Sequence, residues 1–80
     1  MTTIVEILES IRPECEFRYS RNFFKDGLLD SLTVYILIGQ IEEIYQVTLE
    51  EKDFVPDNFI NIEALDKMLC RYGVQQNKIN

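Results

Sequence analysis

No histidine occurs anywhere in this chain of 80 residues. That removes the commonest general base and metal ligand at neutral pH, so the chain is expected not to be an enzyme. Three glycines leave no Gly-rich phosphate loop. The two cysteines, Cys15 and Cys70, have neither metal-ligand nor redox spacing, and they read as free thiols in a reducing compartment rather than as a disulfide. Bases are scarce: eight Lys and Arg stand against fourteen Asp and Glu, for a net charge of −6. The imbalance is concentrated in residues 28–70, with nine acids against two bases. Such a segment repels nucleic acid and anionic membrane and steers basic protein partners, although an acidic face is often only a solvated one. The longest apolar run, Val34 to Gly39, is far too short for membrane insertion. No basic region followed by an apolar stretch marks a signal peptide, so the expected location is cytoplasmic.

What is present reads as one small helical domain over residues 1–80, with a core over about 3–72 and a flexible polar tail at 75–80. Thr3 and Glu6 have the spacing of a capping box ahead of Ile4, Ile7, Leu8 and Ile11, which share one helical face. Pro13 stops that helix at or just before Arg12. A long connection to Leu29 comes next, to be tied down by Phe17, Tyr19, Phe23, Phe24, Leu28 and Leu29. A second helix is predicted from Ser31 to Tyr45, with Asp30 as N-cap and Leu29 and Val34 as a staple across it. Val34, Leu37, Ile38, Ile41, Ile44 and Tyr45 form its core face. Pro56–Phe59 suits a single helical turn. Asn61 caps a last helix whose buried stripe is Ile62, Leu65, Leu69 and Tyr72, and Gly73 offers its left-handed end. Gln46–Leu49 is briefly ambiguous with a strand. The expected fold is an all-α bundle of four helices: three main ones and a short third.

The stretch from Asp26 to Leu32 places the hydroxyl of Ser31 at the first turn of a helix, after a long loop. Unpaired amides and the helix dipole there favour a phosphate ester on that hydroxyl. The plainer reading, that Ser31 only helps to cap the helix, describes most such serines. The face beyond it argues for more. Leu32 and Ile36 point away from the core stripe with Tyr35 at the border, and contiguous exposed apolar groups usually mark a contact site. Gly39 costs about 1 kcal/mol against Ala in a helix interior, which points to a close backbone approach. Glu42 and Glu43 then turn the same side acidic. As adjacent helical residues they do not face each other, so they make a poor catalytic pair.

In this ordered context Asp30-Ser31-Leu32 resembles the phosphopantetheine attachment motif of acyl and peptidyl carrier proteins. Ile41-Glu42-Glu43-Ile44-Tyr45 is similar to that family's Leu-Glu-Glu-x-Phe helix end, and Val47 to Leu49 to its short apolar turn. Pro56-Asp57-Asn58-Phe59 is similar to its Pro-Glu-Asn-Phe third helix, and Ile60–Leu69 to its last helix. The resemblance spans about residues 3–72. It implies that Ser31 receives 4'-phosphopantetheine from coenzyme A through a separate phosphopantetheinyl transferase, with Asp30 orienting the reaction. The thiol of the arm would carry acyl or aminoacyl groups as thioesters. An acyl- or aminoacyl-loading ligase or adenylation enzyme would load it, and a downstream synthase or transferase would unload it. Leu32, Thr33, Tyr35, Ile36, Gly39, Glu42 and Glu43 would form the partner face of a monomeric, free-standing carrier. Carriers of ordinary fatty-acid synthesis usually have an acid where this chain has Ile36, and often one at Thr33. The apolar Ile36 is more like peptidyl or specialised stand-alone carriers. A different class stays open: an unmodified helical adaptor that binds one protein through the Leu32–Gly39 face.

Overall fold

The computed structural model describes residues 3–74. The predicted polar tail at 75–80 lies outside these residues. Three α-helices carry the fold: α1 over Ile4–Ile11, α2 over Ser31–Tyr45 and α3 over Ile62–Cys70. Short 3-10 turns occupy Glu51–Asp53 and Pro56–Asn58. No strand occurs among the described residues, so the ambiguous Gln46–Leu49 segment is irregular and the all-α expectation holds. Where a short third helix was expected there is only a 3-10 turn. Pro56 opens the turn, and the cap of α3 at Asn61 follows so soon that only a single short turn fits between them. Among the described residues no helix is long and apolar enough to cross a membrane.

Helix ends obey local chemistry. Thr3 Oγ1 accepts from the Glu6 amide at 3.3 Å while the Glu6 carboxylate accepts from the Thr3 amide at 3.0 Å, a complete capping box. Arg12, forced out of helical space by Pro13, ends α1. The extended Asp30 accepts from the Thr33 amide at 2.9 Å and starts α2. Asn61 does the same for Ala64 at 2.7 Å and starts α3. Gly73, at φ 81°, turns the chain so that the Val74 amide reaches the Leu69 carbonyl at 3.1 Å.

The core forms where α1 packs against both α2 and α3. Ile4, Ile7 and Leu8 meet Leu37 and Ile41 from α2 and Leu65, Met68 and Leu69 from α3. Each such side chain contributes about 1.5–3 kcal/mol by leaving water. Met68 was absent from the predicted stripe. It is buried because α3 is covered on two sides, by α1 and by the Pro56–Asn58 turn, so a wider arc faces inward. Ile44, predicted on the core face, is exposed. At about 12 Å, the eight-residue α1 is too short to cover the roughly 22 Å of α2.

The long connection between α1 and α2 is fastened rather than helical. Phe17 and Phe23 are buried edge to face, with ring centres 5.2 Å apart. The Phe23 amide donates to Ile60 O at 2.6 Å, and its carbonyl accepts from Leu28 and Leu29 at 2.8 and 3.2 Å. Tyr19 does not share the anchoring role expected of it and stands in solvent. Both cysteines are free thiols, Cys15 half-buried and Cys70 exposed.

Candidate functional site

Ser31 is the first residue of α2 and is exposed. The preceding Asp30 spends one carboxylate oxygen on the Thr33 amide, and that bond holds its carboxyl below the usual carboxylate range. The Arg12 guanidinium adds to this effect. Arg12 is positioned by Glu14, at 3.1 Å, and by donation to the Leu28 carbonyl at 3.3 Å. The hydroxyl of Ser31 therefore sits at a helix N-terminus, where the dipole and the free amides of the first turn favour an anionic ester.

Two adjoining hollows open beside Ser31. One, of about 600 Å³, runs along α2 past Val34, Tyr35 and Ile38 to Glu42 and is closed on the far side by Leu49 and Phe54. The other, of about 230 Å³, lies between the same helix and the segment from Phe54 to Phe59, with Phe24 at its edge. Val34, Ile38 and Phe54 line both. The groove is apolar and starts at the hydroxyl. Sequence reasoning did not find its outer wall, although Phe54 and Val55 are an apolar pair within an acidic stretch and both stay largely exposed.

That wall is held by a buried acid. Asp53 is 2% exposed, and its carboxylate accepts from the Tyr72 hydroxyl, from Arg71 Nη2 at 2.7 Å and from the Glu50 amide at 3.3 Å. Its own carbonyl accepts from Asn58 Nδ2 at 2.9 Å. The Tyr72 hydrogen bond, seconded by Arg71 and opposed by burial, keeps the Asp53 carboxyl below its ordinary value. The same contact pushes the Tyr72 phenol up. The cluster thus ties the 3-10 turn before Phe54 to the end of α3.

The residues expected on the outward face divide. Leu32, Tyr35 and Ile36 are 69%, 76% and 44% exposed, and Gly39 and Glu43 are exposed beside them. Thr33 is a correction: at 8% exposed it lies under the surface. It falls on the same helical stripe as the buried Leu37 and Ile41, four and eight residues further on, so its side chain faces the core. Glu42 is half-buried beside Tyr35 and Gly39. It lines the groove, and its Oε2 accepts from the Leu49 amide at 3.0 Å, pinning the chain that leaves α2. The close approach inferred at Gly39 is not to another helix of this chain, because a methyl there would meet nothing within 4 Å.

Comparison with protein-family models, with curated proteins and with solved structures finds no match.

Proposed function

We propose that this chain is a free-standing acyl or aminoacyl carrier protein, not an enzyme, that bears a 4'-phosphopantetheine arm on Ser31. One observation carries the reading: an exposed serine at the first turn of a long helix, next to a charged N-cap aspartate and at the mouth of an apolar groove. The residues fit such an arm. Ser31 is open to a transferase, the amides of the first turn favour its phosphate, and the groove offers apolar walls to the remainder of the arm. When bound, the arm supplies a thiol that holds cargo as a thioester. The chain's own contribution is to present it, raising the local concentration of cargo at each partner's active site.

Asp30 fixes the start of α2 immediately before Ser31, where it orients the modification. Leu32, Tyr35, Ile36 and Gly39 offer a small apolar contact to a transferase, a loading ligase or adenylation enzyme and a downstream synthase or transferase in turn. A small contact area suits partners that must be released. The apolar Ile36 supports a role in specialised-metabolite or related transfer pathways in the cytoplasm. On this reading the Pro56–Asn58 turn takes the place of the short third helix of the four-helix carrier fold.

The exposed Leu32, Tyr35 and Ile36 also favour a second reading, an unmodified adaptor for one protein. Incubation with coenzyme A and a broad-specificity phosphopantetheinyl transferase separates the two. Intact mass is expected to rise by one arm, and Ser31→Ala to abolish the gain. A chain left unmodified by every transferase tried would leave the adaptor.

A further inference from the structure

The groove that starts at Ser31 carries one charged lining residue, the half-buried Glu42 at its far end. A carboxylate set against apolar walls is costly unless its lone pairs are met. The Leu49 amide meets one of them at 3.0 Å and fixes the group in place. A cation entering the groove would complement its charge.

The spacing matches an arm. Eleven residues of helix separate Ser31 from Glu42, a rise of about 16 Å. About fourteen bonds join the serine oxygen to the thiol sulfur of a phosphopantetheine arm. At the roughly 1.1–1.2 Å of advance per bond of an extended chain, they also span about 16 Å. An arm laid along α2 brings its thioester beside Glu42, and an α-ammonium lies two atoms further on.

We propose that Glu42 is a specificity-determining residue: the groove seats the cargo of the Ser31 arm, and Glu42 favours an aminoacyl cargo over an uncharged acyl group and disfavours a carboxylated one. This rests on the carrier reading. Charge decides between cargoes of equal size, because the apolar walls treat them alike and only the ammonium gains a partner. In a half-open groove the preference is modest, about two- to fivefold in seated population.

The test loads the full chain, through a broad transferase, with amide-linked coenzyme A analogues bearing alanyl, propionyl or malonyl groups. Mass spectrometry confirms the arm, and amide chemical shifts of Gly39, Leu49 and Phe54 report seating at pH 6, where an α-amine is charged. The alanyl form is expected to shift these amides about two- to fivefold more than the propionyl form, and the malonyl form less than either. Glu42→Gln, which keeps an oxygen for the Leu49 amide, is expected to erase the difference. N-acetylalanyl cargo on the unaltered chain should erase it too, without touching the fold. Equal shifts for alanyl and propionyl, or an alanyl effect that survives both changes, would overturn the proposal and leave the carrier reading standing. A chain that gains no arm would overturn both.

Discussion

Asp53→Ala tests the link between the end of α3 and the groove. The substitution removes the acceptor for the Tyr72 hydroxyl, Arg71 and the Glu50 amide together. A net hydrogen bond to a buried charged group is worth about 1.5–3 kcal/mol. The Arg71 contact adds little, since its side chain is 53% exposed and can return to water. The Glu50 amide keeps a second acceptor in the Tyr72 hydroxyl at 3.0 Å. The sum is about 2–3 kcal/mol, or roughly 10–20 °C in melting temperature for a domain of this size. Urea denaturation followed by circular dichroism measures the first figure, and hydrogen exchange should show faster opening at Glu51–Phe54 than at the start of α2. The pH dependence has a definite sign. Because folding lowers the Asp53 pKa, its stabilisation is complete above the unfolded carboxylate value of 3.8 and is lost as pH falls through the lower folded one. Wild type and variant should therefore differ most near neutrality and converge in strong acid. A loss under about 1 kcal/mol at pH 7, or a difference that grows on acidification, would refute this account of the cluster.

Ile36→Glu is expected to leave the circular dichroism spectrum and melting temperature unchanged while slowing turnover with at least one partner enzyme; unchanged kinetics with every cognate partner would remove Ile36 from the contact face. Gly39→Ala should stabilise the free chain by about 0.5–1 kcal/mol, since the new methyl meets nothing and helix propensity improves. A simultaneous drop in partner turnover would show that a partner needs the close approach, whereas destabilisation would contradict the open space at that position. Asp30→Ser keeps an N-cap acceptor and should hold stability near wild type while slowing the transferase, and Asp30→Ala should reduce both. Equal modification rates for wild type and Asp30→Ser would limit Asp30 to capping.

Most of the framework was legible along the chain because it is set by neighbours in sequence. The capping box of Thr3 and Glu6, the break at Pro13, the caps Asp30 and Asn61 and the left-handed Gly73 all depend on residues a few positions apart. The exposure of Ser31 comes from the same local logic. Tertiary structure decided what local pattern cannot count, namely how much of a helix its neighbours cover. The short α1 left Ile44 outside, two-sided packing took Met68 inside, and the way α2 is rotated against the core put Thr33 on the buried stripe with Leu37 and Ile41. The groove wall at Phe54 and the Asp53 cluster behind it were invisible for the same reason. They join residues about twenty apart and more, and only the folded chain brings a buried acid to the hydroxyl of Tyr72 and an apolar pair across from Ser31.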